Sequence, residues 1–234
     1  MLKKIDRLNT ICDGDLIINE VTRNKIQREW NEFIKCKDSK DFFDGDIYCV
    51  TDIDDSVPSI NISKTKFSAL FYAKKTNEII VRSLFSAGYI KTFDNYICII
   101  INNRGEKLNL IGGMADSREI NDNKFDYKRC LIREFMEELG FDLTNDSNFE
   151  VTLKYLKYPY KSELNKAHYP VGTIYEIKTN YTKEQLIDMF KKNGHDREVK
   201  ELKFYNNDNY KDIFSCDSKF KADYLDELFS ILFK

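Results

Sequence analysis

Three glutamates lie within five residues of the segment REFMEELGF, which runs from Arg133 to Phe141. On a helical wheel at about 100° per residue, Glu134, Glu137 and Glu138 share one arc and are surface neighbours at spacings i, i+3 and i+4. At about 5.5 Å and an effective dielectric of about 20, two full charges repel by roughly 3 kcal/mol. Such a face is either simply solvated or holds a cation, and converging carboxylate oxygens are the ligands that Mg²⁺ or Mn²⁺ requires.

The acidic cluster is predicted to lie on a helix formed by DYKRCLIREFMEELG, from Asp126 to Gly140. Its opposite face is apolar and is expected to bury against a sheet. That face consists of Tyr127, Leu131, Ile132, Phe135 and Leu139. Gly140 fits a left-handed C-terminal cap, with Phe141 folding back on the last turn. Arg133 lies only near the edge of the acidic arc, and Lys128 and Arg129 point away from it, so ion pairs within the helix are not expected to offset its charge.

Two glycines, Gly112 and Gly113, precede this helix in the stretch LIGGMADSRE and are expected to end a strand. Glycine leaves the backbone unhindered, so a carbonyl group or the turn itself can approach a metal-bound phosphate from the side opposite the helix. Both glycines are therefore candidate substrate-binding residues.

Together these residues resemble the signature of the Nudix hydrolases, G-x5-E-x7-R-E-U-x-E-E-x-G-U, in which U is aliphatic or aromatic. The matching residues are Gly113, Glu119, Arg133, Glu134, Phe135, Glu137, Glu138, Gly140 and Phe141. The second half of the signature matches at every specified position. Between Glu119 and Arg133 the chain has thirteen residues where the signature has seven, and the six extra residues are expected to form a loop between the strand end and the helix. In the family, the glutamate at the position of Glu119 helps to orient the helix arginine.

The resemblance implies a hydrolase that cleaves a nucleoside diphosphate linked to another moiety, with water attacking phosphorus beside a divalent metal. It implies that Mg²⁺, with Mn²⁺ as a substitute, is bound by Glu134, Glu137, Glu138 and the carbonyl of Gly113. It further implies that Arg133 orients Glu134. These assignments agree with the physical chemistry, because such a metal neutralises pyrophosphate oxygens and lowers the pKa of a bound water.

The resemblance implies that the general base comes either from the helix itself or from an acidic residue in a later loop. The candidates are Glu163, Asp196, Glu198 and Glu201. We prefer Glu198, because HDREVKELKFY precedes a predicted strand at a suitable place in the fold. Tyr158 and Tyr160 flank the hairpin loop that follows the helix and are candidates to stack on the base of a nucleotide.

The resemblance implies an α+β fold, a Nudix-type α/β/α sandwich with a mixed sheet over residues 79–234, and the order of the predicted elements is compatible with it. A small α+β region of unknown role, residues 1–78, precedes it. β-branched and aromatic runs predict the strands. These runs are 46–51, 59–63, 79–85, 96–102, 149–158, 169–178 and 199–205. Helices are predicted at 22–36 with Thr22 as the N-cap, at 182–194 with a capping box of Thr182 and Gln185, and at 219–233. The type of 67–73 stays open.

Composition narrows the range of partners. The 234 residues contain 37 basic and 39 acidic side chains, so the formal charge of −2 disfavours binding of bulk nucleic acid. Six cysteines without paired or metal-ligand spacing indicate a reducing, cytoplasmic compartment. No apolar run resembles a signal peptide or a membrane span, so no membrane partner is expected.

Three functions compete. The leading one is a metal-dependent pyrophosphohydrolase that acts on a small nucleotide, such as a nucleotide sugar, ADP-ribose or a noncanonical nucleoside triphosphate. A narrower alternative is an mRNA-decapping Nudix enzyme, whose partner would be capped RNA. The third is a non-catalytic Nudix-fold sensor that binds a nucleotide. Residues 1–78 would serve as a cap over the substrate cleft, as a homodimer surface or as a partner-binding element.

Overall fold

The computed structural model describes residues 1–36, 43–54, 59–103, 105–159, 169–193 and 198–234. The strands in these ranges are β1 (Leu2–Lys4), β2 (Asn9–Asp15), β3 (Asp46–Asp54), β4 (Ser59–Lys66), β5 (Arg82–Lys91), β6 (Ile97–Asn102), β7 (Leu108–Asn109), β8 (Ile111–Met114), β9 (Ile120–Asn121), β10 (Lys124–Phe125), β11 (Phe149–Lys157), β12 (Val171–Thr179) and β13 (Val199–Tyr205). The α-helices are α1 (Glu20–Ile34), α2 (Phe67–Thr76), α3 (Tyr127–Leu139), α4 (Lys183–Lys192), α5 (Asp212–Ser215) and α6 (Leu225–Leu232).

One mixed sheet connects most of the strands. Its main path runs in the order β1-β11-β12-β5-β3-β4-β2, and β5 also pairs with β6 and β8. Strand β12 lies parallel to β5, whereas β6 and β8 pair with β5 in antiparallel fashion. The pairing of Cys49 with Ser83 joins β3 to β5, so the sheet continues across the predicted boundary near residue 78. The division into two domains stays a prediction.

Strand β5 lies at the centre of the sheet, and its side chains alternate between two helical layers. Leu84 and Ile90 lie in one buried cluster together with Phe135 of α3. Tyr89 belongs to the cluster on the other face, which contains Phe229 of α6. A strand covered on both faces shows this period of two with apolar residues throughout. The predicted helix–sheet–helix sandwich is therefore confirmed.

The N-terminal helix begins earlier than predicted. Asn19, rather than Thr22, is the N-cap of α1, and its side chain accepts a hydrogen bond from the Thr22 backbone N–H. The open segment 67–73 is helical and forms most of α2. Trp30 of α1 packs edge-on against Phe67 of α2, with 6.0 Å between ring centroids.

Other boundaries also differ from the predictions. The strand predicted at 79–85 begins at Arg82 and extends to Lys91. The C-terminal helix begins at Leu225 rather than at residue 219, because the backbone of Lys221 bridges to Leu108 and must be extended there. The capping box of Thr182 and Gln185 at the start of α4 is confirmed, whereas the predicted end of that helix at Gly194 lies outside the described residues.

The six-residue insertion forms a hairpin, not the loop predicted from the sequence. Strands β9 and β10 pair through Ile120 and Phe125, and Asp122 and Asn123 at the tip have φ values of 48° and 59°. Two consecutive positive φ angles define the turn that matches the twist of a two-residue hairpin. The carbonyl of Asn123 accepts a 3.3 Å hydrogen bond from the Cys12 N–H, so the hairpin tip contacts β2.

None of the helices within the described ranges combines the length and apolarity needed to cross a bilayer.

Candidate functional site

Helix α3 holds the acidic cluster in a fixed orientation. The Asp126 side chain caps its N-terminus by accepting a 2.9 Å hydrogen bond from the Arg129 N–H. At the other end Gly140 has a φ of 67°, and its N–H donates to the Met136 carbonyl at 3.0 Å. The predicted left-handed cap is therefore confirmed. The N–H of Phe141 donates to the Phe135 carbonyl at 3.3 Å, which folds the chain back as predicted.

Arg133 is the centre of an ion-pair network. Its Nε donates to Oε1 of Glu119 at 2.8 Å. Its Nη1 lies 2.7 Å from Oε1 of Glu134 and donates to Oε2 of Glu137 at 2.8 Å. Burial alone would lower the pKa of this guanidinium, but hydrogen bonding to Glu119 and the charge of Glu134 outweigh it and raise the pKa above its usual value. One arginine thus joins three carboxylates. The prediction that ion pairs within the helix would not offset the acidic cluster is wrong, because Arg133 pairs with Glu134 and Glu137 of the same helix.

Glu119 reaches Arg133 although the insertion separates them in sequence. The hairpin returns the chain to its starting point, because the Asp126 N–H donates to the Glu119 carbonyl at 2.8 Å. The Glu119 side chain is only 1% exposed and also accepts a 3.1 Å hydrogen bond from the Asp116 N–H. The contact that the family resemblance leads one to expect at this position is therefore present.

Gly112 and Gly113 do not end a strand as predicted, because both lie inside β8 and pair with Ala87 and Ser86 of β5. Glu138 lies against this part of β8. Its Oε2 accepts a 3.2 Å hydrogen bond from the Gly112 N–H, and the residue is only 7% exposed. Gly112 has a φ of 148°, and a Cβ there would lie 2.3 Å from the Ser86 carbonyl oxygen. Any other residue would therefore displace the strand that places this N–H next to Glu138.

Glu134 lies against Gly113. A Cβ on Gly113 would lie 2.2 Å from Oε1 of Glu134, so the missing side chain leaves the space that the carboxylate occupies. Burial raises the pKa of the Glu134 carboxyl, and the charge of Arg133 opposes that rise. The Gly113 carbonyl oxygen lies 3.9 Å from the Cys130 thiol of α3. Glu134 and Glu138 are thus brought to the two glycines, whereas the contacts of Glu137 are with Arg133 and Arg118.

Glu198 lies in the same cavity as Glu138. The cavity has a volume of about 170 Å³ and is lined by Ile100, Asn102, Asn109, Leu110, Gly112, Glu138 and Glu198. The negative charge of Glu198 also contributes to the raised pKa of Glu134. Of the other candidate bases, Glu201 pairs with Lys203 at 2.8 Å on β13, and Glu163 and Asp196 lie outside the described residues.

The sequence predictions missed three residues near this site. Asn102 and Asn109 line the cavity, and Oδ1 of Asn109 accepts a 2.7 Å hydrogen bond from the Tyr224 hydroxyl. Arg118 places its Nη1 3.4 Å from Oε1 of Glu137. Only its position next to Glu119 in the sequence could have drawn attention to Arg118, and nothing marks the two asparagines.

Tyr158, one of the two tyrosines proposed to stack on a base, is not part of this cavity. Tyr158 lines a separate cavity of about 330 Å³, which shares no lining residue with the acidic one. It is buried, and its hydroxyl donates to the Met1 sulfur at 3.5 Å. Tyr160 lies outside the described residues.

The donor set suits a hard divalent cation, since it consists of carboxylate and carbonyl oxygens. Among the described residues, no three His, Cys, Asp or Glu side chains form a group arranged to hold a metal ion. The contacts explain this arrangement, because Glu134 and Glu137 turn to Arg133 whereas Glu138 turns to the Gly112 N–H.

Comparisons with known proteins give matches at the level of structure. No family model and no curated protein sequence matches the chain. Many of the similar solved structures are Nudix hydrolases. A Nudix-family hydrolase from Clostridium perfringens is 14% identical, with a TM-score of 0.39 and coverage of 65% of this chain and 96% of that one. A Nudix hydrolase from Nitrosomonas europaea is 13% identical, with a TM-score of 0.42 and coverage of 64% and 86%.

A third similar structure is the Nudix domain of NrtR from Shewanella oneidensis, which was crystallised with ADP-ribose. It is 10% identical to this chain, with a TM-score of 0.43 and coverage of 71% of this chain and 96% of that one. At these values we infer no chemistry and no substrate from the matched structures.

Proposed function

We propose that this chain is a divalent-metal-dependent hydrolase of the Nudix type, which cleaves the pyrophosphate bond of a nucleoside diphosphate linked to another moiety. The observation that carries the proposal is the Arg133 network. It joins Glu119 from the first half of the signature to Glu134 and Glu137 from the second, across the insertion that separates the two halves.

Burial of the carboxylates argues against the alternative of a solvated acidic face. A carboxylate on such a face stays in water, because taking it out costs several kcal/mol unless partners offset the loss. Glu119 and Glu138 are nearly inaccessible, and each accepts a hydrogen bond from a backbone N–H. The burial of these carboxylates therefore carries a free-energy cost that a solvated acidic face would not have.

The residues that would hold the cation are Glu134, Glu137, Glu138 and the carbonyl of Gly113. When bound there, Mg²⁺ or Mn²⁺ supplies positive charge to the pyrophosphate oxygens and makes hydroxide available near neutral pH. Arg133 keeps Glu134 in position through a charge-assisted contact at 2.7 Å. Because Gly112 and Gly113 have no side chain, Ser86 and the Glu134 carboxylate can lie close to the backbone at these positions.

Glu198 is assigned the role of general base, which takes a proton from the attacking water. Its support is its place in the wall of the cavity that Glu138 and Gly112 also line. That cavity, at about 170 Å³, is smaller than the roughly 300 Å³ at which whole-ligand pockets begin. It therefore suits the reacting phosphates, and the nucleoside extends beyond it.

The substrate is proposed to be a small nucleotide, and no observation here favours capped RNA. The sensor alternative has one supporting observation, namely that the helix glutamates are bonded to Arg133 and to a backbone N–H. A sensor would bind a nucleotide without turnover. Release of nucleoside monophosphate is therefore to be measured over a panel of nucleoside diphosphate derivatives with Mg²⁺ and with Mn²⁺.

Glu138→Gln tests the metal role directly. We expect the variant to lose hydrolysis and to keep its fold, because glutamine preserves the acceptor for the Gly112 N–H but removes the charge. Glu184→Gln, an exposed glutamate of α4, is the matched control and should keep full activity. Full activity of Glu138→Gln would exclude the proposed role, and binding without turnover by the wild-type protein would favour the sensor.

A further inference from the structure

Arg118 lies at the edge of the acidic cluster, on a short 3₁₀ turn that spans Ser117–Glu119. Its side chain is 57% exposed. The Nε donates to Oδ2 of Asp116 at 2.7 Å, and Nη2 lies 2.6 Å from the same oxygen. The remaining arm, Nη1, extends to Oε1 of Glu137 at 3.4 Å. One side of the guanidinium is therefore anchored, and the other faces the site.

The contact of Arg118 with Glu137 is weaker than its contacts with Asp116. It is longer than the contacts to Asp116, and Glu137 is 46% exposed, so water competes for it. Glu137 already has a shorter bond, at 2.8 Å, to Nη1 of Arg133. The Nη1 arm of Arg118 can thus leave Glu137 without leaving any buried group unsatisfied.

Arg133 is not in a position to play the same part toward a substrate. Its Nε and Nη1 are engaged with carboxylates, and its Nη2 donates to the Met114 carbonyl at 3.4 Å. Its side chain is also far less exposed than that of Arg118. An anion that approaches this edge of the cluster therefore meets the guanidinium of Arg118.

We propose that Arg118 is a substrate-binding residue, which donates from Nη1 to an oxygen of the pyrophosphate. This inference rests on the proposed function and adds a residue that the signature does not contain. A planar guanidinium matches phosphate geometry, and the anchor on Asp116 fixes its direction before the substrate arrives. In the absence of substrate, the Nη1 arm of Arg118 contacts Glu137. That contact would be lost if Glu137 turned to hold a cation, and the arm would then be available to the substrate.

Variants of Arg118 should keep the turn intact. The turn is held by the capping box, in which the Asp116 side chain and the Glu119 side chain each accept from a backbone N–H. The Arg118 backbone N–H takes part in that box, and its side chain does not. Arg118→Gln removes the positive charge. Arg118→Lys keeps the charge but removes the planar guanidinium with its paired N–H donors. Arg129→Gln, an exposed position of α3 outside the site, is the matched charge control.

The first measurement is equilibrium binding of methylenediphosphonate, a nonhydrolysable form of the pyrophosphate core, in the presence of Mg²⁺. Loss of one charge-assisted hydrogen bond corresponds to a change of about tenfold to a hundredfold in affinity. We expect Arg118→Gln to raise the Kd by that factor, Arg118→Lys by less, and Arg129→Gln by less than twofold. Calorimetric titration of Mn²⁺ alone should show that Arg118→Gln binds the cation at least as tightly as the wild type, because a competing positive charge has been removed.

The second measurement is hydrolysis of an active member of the substrate panel. Arg118→Gln should raise KM by the same factor and change kcat by less than about threefold, since the contact is already made in the ground state. Equal binding of the phosphonate by the wild type and Arg118→Gln would overturn the inference, as would a weaker Mn²⁺ affinity, which would indicate a structural role. If the wild type binds the phosphonate but hydrolyses no substrate, the proposed function is overturned. The role of Arg118 is then still decided by comparing the phosphonate Kd of the wild type with that of Arg118→Gln. A wild type that neither binds the phosphonate nor hydrolyses any member of the panel would overturn both the proposed function and the role of Arg118.

Discussion

Replacing Glu119 by glutamine tests whether the Arg133 network holds the site together. Glu119 accepts from Nε of Arg133 at 2.8 Å and from the Asp116 N–H at 3.1 Å, and it is buried. Glutamine has nearly the same shape, but one of its terminal atoms is an NH₂ group that cannot accept. Whichever way the amide turns, one of the two hydrogen bonds is replaced by a contact between two donors.

The magnitude follows from the type of bond that is lost. A hydrogen bond to a charged group contributes about 1.5–3 kcal/mol, and the remaining donor stays buried. Arg133 keeps its contacts to Glu134 and Glu137, which limits the loss. We therefore expect the free energy of unfolding to fall by about 2–3 kcal/mol. At about 2–4 °C per kcal/mol for a chain of this size, the melting temperature should fall by roughly 4–12 °C.

The assay is urea unfolding followed by circular dichroism, with EDTA present so that cation binding does not add to the stability. Glu184→Gln, on the exposed face of α4, is the control and should change the free energy of unfolding by less than about 0.5 kcal/mol. A double-mutant cycle with Arg133→Gln isolates the pair and should give a coupling of about 1.5 kcal/mol or more. Hydrolysis by Glu119→Gln should also fall by about 10- to 100-fold, as when a ligand-orienting partner is lost. Wild-type stability together with wild-type turnover in Glu119→Gln would refute the reasoning.

Two further predictions concern the base and the acid stability of the fold. Glu198→Gln should lower kcat by about 100-fold or more, as expected for loss of a general base, while Mn²⁺ still raises the melting temperature; an unchanged kcat would assign the base elsewhere. Hydrogen bonds from the Asn145 side chain, and from the backbone N–H groups of Asn145 and Thr144, hold the pKa of Asp142 below its usual value. The stability that Asp142 contributes is thus fully present above its unfolded pKa of about 3.9 and is lost as the pH falls through the lower folded pKa. Asp142→Asn should therefore be less stable than the wild type at pH 7 and should approach the stability of the wild type near pH 2. The measurement is the difference in melting temperature between the two proteins at each pH. An equal difference at pH 7 and pH 2 would contradict the reasoning.

The local features of the site could be predicted from the sequence alone. Spacings of three and four residues define a helix face, and Gly140 defines the helix end, because both depend on residues within one or two turns. The helix face and its cap therefore use information carried by a short segment, whereas the sandwich is an expectation from the resemblance to the Nudix signature.

The features that the sequence missed depend on contacts between distant segments. Strand β2, NTICDGD, contains two aspartates and a glycine, so its composition does not indicate a strand, yet it pairs with β4. The hairpin tip, Asp122 and Asn123, lacks the glycine that marks most two-residue turns. Arg118 reaches Glu137 only because the turn and the helix are adjacent in space. No pattern within a single segment encodes such proximity.

The hairpin of β9 and β10 has a consequence for how such sites are recognised. Because Ile120 pairs with Phe125 and the Asp126 N–H reaches the Glu119 carbonyl, the ends of the extra segment meet. Residues added between Ile120 and Phe125 would lengthen the hairpin and leave the distance between Glu119 and Arg133 unchanged. A search with a fixed count of intervening letters therefore overlooks chains of this kind, whereas a three-dimensional template of three carboxylates around one guanidinium, with two glycines nearby, would retrieve them whatever lies between.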